Sequence, residues 1–286
     1  MPKLSLLILL FFINTICFAQ VHLGVFAGTG NYQGDLVDGL YIPKLTRFSA
    51  GITGEYEIKE RVMLRAGLTF AQIAGSDKYN AKDDLKLRNL SFESNVLEFH
   101  VGGEFYTFNF ENKKWSPYVF GGLAVYHYNP YVLTTDKEKI FLRTLSTEGQ
   151  GLSQYPDSRP YSLTQFAIPF GAGVKFAIND NLRIGIETGW RKLFTDHLDD
   201  VSSNYADEND LRAERGDLAA QLAYRGDEVA GGNPAYPLKG SQRGGAEQKD
   251  WYYLTGITLS YRLGSGGLFG GGGGGKGKYG CPKVPM

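Results

Sequence analysis

Six stretches of the chain alternate apolar and polar residues with a period of two. Phe48, Ala50, Ile52, Gly54, Tyr56 and Ile58 share one face, against Ser49, Gly51, Thr53, Glu55 and Glu57. Val62, Leu64, Ala66, Leu68 and Phe70 oppose Met63, Arg65, Gly67, Thr69 and Ala71. Leu97, Phe99, Val101, Gly103 and Phe105 oppose Glu98, His100, Gly102, Glu104 and Tyr106. The same rhythm runs through 165–178, 182–191 and 251–263. Successive strand side chains point to opposite faces, so this pattern predicts strands with one apolar face. With 21–28 and 115–128 added, eight strands are expected.

Their connections alternate in length. Lys59-Glu60, 111–114 and 179–181 are tight turns, whereas about 30–45, 75–89, 129–161 and 196–249 are long. Short and long connections alternating around an even number of strands is the pattern of an outer-membrane barrel. The expected fold is therefore all-β, an eight-stranded antiparallel transmembrane β-barrel with short periplasmic turns and long extracellular loops. A lipocalin-like barrel or a β-sandwich would show the same alternation. Three features favour lipid. The polar face mixes glycines with large charged residues, as a narrow lumen requires. Aromatics gather near strand ends (Phe105, Tyr106, Phe108, Phe110; Tyr126, Tyr128, Tyr131; Trp251, Tyr252, Tyr253) and read as interfacial girdles. The last strand ends in alternating Ile257, Leu259 and Tyr261, resembling a barrel-assembly signal.

The chain ends divide from the barrel. Lys3 followed by an apolar run from Leu4 to Phe18 and small Ala19 reads as a secretory signal over 1–19, since a membrane helix needs roughly 20 apolar residues. Acylation at Cys17 has a poor lead-in at Asn14-Thr15-Ile16. The barrel is expected over 20–263, in the outer membrane of a Gram-negative bacterium with both termini periplasmic. Residues 264–286 form a glycine-rich periplasmic tail, unbroken glycine from 270 to 275, which cannot build a core and reads as a tether. Removing Cys17 with the leader leaves Cys281 without an intrachain partner; a free thiol and pairing with another protein both stay open.

Charge narrows the function. Thirty Lys+Arg balance thirty Asp+Glu over 286 residues, which does not suit a nucleic-acid binder. The 14% aromatic content with 38 glycines does not suit a disordered chain. The polar face carries Glu55, Arg65, Glu98, His100, Glu104, Lys175, Arg183, Glu187, Arg191 and Arg262. Buried ions must be paired, and an eight-stranded barrel is just wide enough to fill with side chains, so these read as an ion-pair plug rather than a selective pore. No zinc or serine-hydrolase motif is present, and His100 beside Glu98 and Glu104 reads as a structural His-carboxylate pair. No enzyme activity and no cofactor is expected. Asp196, Asp199 and Asp200 have the chemistry for calcium but not its loop spacing, and solvated rim acids are the simpler reading. Asn31-Tyr32-Gln33-Gly34-Asp35 reads as a turn. A short helix fits 207–224, with Leu211, Leu218 and Leu222 inward and Gly216 weakening it.

Several blocks resemble one family. Gly24-Val25-Phe26-Ala27-Gly28 with Asn31-Tyr32-Gln33-Gly34-Asp35-Leu36 is similar to the opening of PorG-like outer-membrane proteins of Bacteroidetes. Phe170-Gly171-Ala172-Gly173-Val174-Lys175, the block from Gly189-Trp190-Arg191 through Asp199-Asp200-Val201-Ser202, Asp250-Trp251-Tyr252-Tyr253 and Cys281-Pro282-Lys283 resemble it further on. The six-glycine run departs from the shorter tail of that family. The resemblance implies a non-enzymatic component of the type IX secretion system, associated with a periplasmic ring of a lipoprotein and its partner protein, and in reach of the outer-membrane translocon. The periplasmic turns at Lys59, Asn112, Lys113, Lys114, Asn179 and Asp180, with Cys281, are the expected contacts. The rival expectation is a stand-alone barrel, either a lipid-modifying enzyme or a passive pore.

Overall fold

The computed structural model describes residues 21–264 apart from 135, 246 and 248; the expected leader and the tail with Cys281 lie outside the described residues. Eight strands form the wall: β1 (Val21–Gln33), β2 (Arg47–Lys59), β3 (Val62–Ser76), β4 (Ser91–Tyr106), β5 (Trp115–His127), β8 (Thr164–Ala177), β9 (Leu182–Leu193) and β10 (Trp251–Arg262). Each pairs antiparallel with its neighbours, β1 closes on β10, and β3 pairs with β4. A small hairpin, β6 (Pro130–Leu133) and β7 (Lys139–Phe141), extends β4 within the third long connection.

The strands are staggered. From Ala27 the registered row runs through Ala50 and Phe70 to Leu97 in one direction. In the other it runs through Ile257, Ile186, Val174 and Pro117, whose carbonyl accepts from the Thr107 amide. One circuit thus returns to the β4 side ten residues displaced, the tilt that closure of a barrel demands.

Alternation sorts the side chains as expected. Ile52 (61% exposed), Leu123 (67%) and Phe166 (68%) belong to a continuous apolar exterior, while Glu98, Glu104 and Lys175 are buried inside. An apolar band around a charged interior is the arrangement of a barrel in lipid, the reverse of a soluble one. Among the described residues no helix is long and apolar enough to cross a membrane.

Three expectations need correction. β1, β3 and β4 run farther toward the long loops than alternation indicated, through 29–33, 72–76 and 91–96, where the sequence loses its clean polar-apolar contrast. The girdle reading fails for Tyr106, Tyr126, Tyr128 and Tyr252, which are fully buried. Neighbours in a strand face opposite ways, so of Phe105-Tyr106 only Phe105 reaches the exterior. The helix over 207–224 is two: α2 (Glu208–Arg215) and α3 (Asp217–Ala223), broken where Gly216 takes φ +85°. Leu211 is buried and Leu222 packs against the cap core, but Leu218 is 41% exposed. An earlier short helix, α1 (Asp83–Arg88), carried no sequence signal.

Candidate functional site

Inward positions of six strands place the charged residues in the lumen, where they form two chains of contacts. In the first, Lys175 Nζ donates to Glu55 Oε1 at 2.7 Å and to Glu104 Oε2 at 3.0 Å. Arg65 donates to Glu104 Oε1 at 3.1 Å and grips Glu187 with both terminal nitrogens, at 2.8 and 2.9 Å. Tyr118 donates to Glu187 at 2.6 Å and Tyr106 to Glu104. In the second, Arg191 grips Glu98 at 2.9 and 3.0 Å, Tyr252 donates to the same carboxylate at 2.5 Å, and His100 Nδ1 lies 3.2 Å from Glu98 Oε1. Forked guanidinium–carboxylate pairs are the geometry that best offsets the desolvation of buried charge.

Two further members of the sequence-derived set lie nearer the turn end. Arg183 lies with its guanidinium 4.2 Å over the Phe110 ring, and Arg262 sits at the end of β10, its amide donating to Asn181 O. The column is packed by close approach. A Cβ on Gly171 or Gly189 would come within 2.6 Å of the Phe120 ring tip, and that ring supports Arg65 at 5.0 Å. Without glycine there, the aromatic shelf under Arg65 could not form.

Above the lumen, the four long connections fold into one cap. Its centre is Arg243, which donates to Glu148 Oε1 at 2.9 Å, to the Asp200 carbonyl at 2.6 Å and to the Ala223 carbonyl at 3.2 Å. Glu148 also accepts from the Ser202 and Ser203 amides. Arg88 pairs with Asp77 at 2.7 and 2.8 Å and donates to the carbonyls of Arg243 and Asp35. Asp77, Arg88, Glu148 and Arg243 escaped the sequence reading because their partners lie 11 to 155 residues away and no local period marks them.

The three rim aspartates do not converge. Asp196 accepts from Ser202, Asp199 from Tyr32 at 2.5 Å and from the Val201 amide, and Asp200 from Thr147 and Tyr161. No group of three metal-ligating side chains is present among the described residues. Instead Tyr32 bridges Asp199 and Asp250, the latter at 3.1 Å, and Asp250 also accepts from the Leu198 amide. Burial, then neighbouring carboxylates, push Asp199 and Asp250 well above the ordinary carboxyl range. Burial lifts Asp200 to about 6 and Asp196 to about 7. Gly34 permits this approach, since a Cβ there would meet Asp250 Oδ1 at 2.1 Å and Tyr32 Oη at 2.2 Å.

The tight turns meet at the opposite end. Asn109 donates to Glu60, linking the β2–β3 and β4–β5 turns. Asn112 and Lys113 amides donate to Asn109 O, Lys113 Nζ lies 3.7 Å over Phe108, and Lys114 O accepts from Ala177. Asn179 Oδ1 closes the β8–β9 turn by accepting from the Asn181 and Leu182 amides, leaving Asp180 exposed; Lys59 is exposed at the end of β2. Val21 and Leu263, the first and nearly the last described residues, are joined there by a backbone hydrogen bond of 2.7 Å.

A family model described as "Domain of unknown function (DUF6089)" matches residues 2–224. No curated protein matches by sequence. Among solved structures the chain is similar to Neisserial surface protein A (9% identity, 85% of this chain and 97% of that chain, TM-score 0.42). It is also similar to OprG of Pseudomonas aeruginosa (9%, 85% and 96%, 0.41) and to Ail, the attachment invasion locus protein of Yersinia pestis (10%, 85% and 97%, 0.39).

Proposed function

The chain belongs to the DUF6089 family, and we propose that this barrel is a non-enzymatic outer-membrane component of the type IX secretion system that anchors a periplasmic ring of a lipoprotein and its partner. The observation that carries the reading is the division of the molecule into two unlike ends. The loop end carries a packed cap and the lumen holds paired charges, which supports an anchor over a conduit. The turn end gathers Lys59, Asn112, Lys113, Lys114, Asn179 and Asp180 on one rim beside both ends of the described chain. A short-turn rim facing the periplasm is accessible to a ring held beneath the membrane. The block Trp190–Ser202, similar to the PorG-like proteins, supplies the secretion assignment, and Cys281 at the end of the tail adds a covalent handle.

The test is affinity purification of the tagged barrel after crosslinking, with co-purifying proteins identified by mass spectrometry. Wild type is expected to recover a periplasmic ring lipoprotein. Loss is expected when Lys113 and Lys114 are changed to Glu and 265–286 removed. Undiminished recovery from that variant, together with intact secretion, refutes docking through this rim.

A further inference from the structure

The buried lysine and arginines of the lumen are each met by an acid, with one exception. Lys175 takes Glu55 and Glu104, Arg65 takes Glu104 and Glu187, and Arg191 takes Glu98. Arg183 is 8% exposed and pairs with no carboxylate among the described residues. A guanidinium held largely out of water without a counter-charge is costly, so an acid supplied from outside the described residues would be favoured there.

The position of Arg183 is set by two of the tight turns. It is the second residue of β9, just past the 179–181 turn, on the inward face that also carries Glu187. Phe110, from the β4–β5 turn, covers its guanidinium at 4.2 Å and packs edge-on against Tyr106 at 5.4 Å. Nη1 points to Met63 Sδ at 3.9 Å, a weak acceptor. A guanidinium stacked on a ring keeps its N–H groups directed edgewise, in its own plane. The edge made by Nε and Nη2 has no partner among the described residues, and neither atom is sealed from solvent.

That same edge holds a carboxylate twice elsewhere in the molecule. Arg191 turns Nε and Nη2 to Glu98 at 2.9 and 3.0 Å, and Arg88 turns them to Asp77 at 2.8 and 2.7 Å. Two parallel charge-assisted bonds are the strongest grip a guanidinium has on an acid. Arg183 presents this fork unfilled at the turn-side mouth of the lumen. Its neighbour Ile184 faces lipid, so Arg183 faces away from the lipid headgroups. The chain's own tail, 265–286, contains no Asp or Glu, so an acid arriving from the periplasm belongs to another polypeptide.

We propose that Arg183 is the receptor for an aspartate or glutamate side chain of a periplasmic protein docked on the turn rim. The acid approaches between the β4–β5 and β8–β9 turns, its two oxygens accept from Nε and Nη2, and Phe110 shields one face of the pair from water. This contact presupposes docking on that rim and adds its chemistry. Lys113 and Lys114, exposed on the same end, draw an acidic segment in from a distance, whereas Arg183 fixes its register. An arginine stacked on an aromatic ring and paired in a partly dry setting is the kind of residue that carries much of an interface's binding energy.

The experiment uses the full chain in living cells, with the photo-crosslinker p-benzoylphenylalanine in place of exposed Asn112. With Arg183 intact, an adduct is expected whose partner segment carries Asp or Glu at or beside the crosslinked residue. Arg183→Met or, if that variant does not fold, Arg183→Gln is expected to lower the yield at least tenfold. Arg183→Lys, a point charge without the fork, is expected to lower it less. Arg183→Glu combined with the mapped acid changed to Arg is expected to restore it. Folding of each barrel is checked by resistance to sodium dodecyl sulfate before heating. An adduct confined to a segment without acids, full yield from a folded Arg183→Met or Arg183→Gln, or no recovery on charge reversal would each overturn the receptor and leave rim docking standing. Absence of any adduct with Arg183 intact would overturn docking and receptor together.

Discussion

Individual side chains in this molecule are held by partners they cannot lose cheaply. Lys175 stands between Glu55 and Glu104, so Lys175→Met would leave Glu55 buried without its ion-pair partner and Glu104 with Arg65 alone. A loss of about 3–5 kcal/mol is expected, read from urea unfolding in lipid vesicles; a loss under about 1 kcal/mol would mean water already reaches the pair. The cap is sensitive to pH through the same logic. Asp196, Asp199, Asp200 and Asp250 are raised mainly by burial, so their protonated forms stabilise the closed cap. That contribution is complete below the ordinary carboxyl value of about 4 and is lost as pH rises through the folded values, about 6 for Asp200 and about 7 for Asp196. Arg243 beside Asp200 and Lys249 near Asp196 oppose the shift without cancelling it. Amide exchange of 198–203, corrected for its intrinsic pH dependence, is expected to quicken between about pH 5 and 8. Asp196→Asn, which mimics the protonated acid, is expected to flatten that rise. An identical rise in the variant would assign the opening to other groups.

Strands declare themselves through alternation, and that is why their outward faces were legible. Ile186 is 64% exposed on the lipid face of β9, and Ile186→Arg is expected to cost about 2–4 kcal/mol, whereas Leu218→Arg on the exposed face of α3 stays within about 0.5 kcal/mol. Equal costs at the two positions, measured by the same unfolding assay, would contradict a lipid-facing β9. The lumen charges were legible for the same reason: Glu55, Arg65, Glu98, Glu104, Lys175, Glu187 and Arg191 all fall on the polar phase of a strand. Which carboxylate each cation takes was not. Arg65 meets Glu187 across 122 residues, a pairing set by stagger and not by spacing. Aromatic residues misled where they adjoin, because a run such as Tyr252-Tyr253 sends one ring inward and the other outward. Cap residues were least legible. Arg243 sits in a polar loop with no period, and its role exists only once four distant segments have met.

At the scale of the whole molecule, a barrel filled from within and covered from above is expected to be electrically silent. Planar bilayers containing the purified protein should show no stable openings; steady single-channel currents would favour the passive-pore reading over a ring anchor. The covering has a second implication. Tyr32 closes β1, Asp250 immediately precedes β10, and Asp199 comes from the loop between β9 and β10, yet one phenol oxygen holds both acids together. β1 and β10 are the two strands whose meeting turns an open ribbon into a cylinder. The knot above them therefore cannot be tied until the chain's beginning and end have found each other. Partly threaded chains would carry their outer segments slack and open to proteases, and only the finished cylinder would present them folded. Closure of the barrel is thus recorded in the loops above it, where β1 and β10 meet.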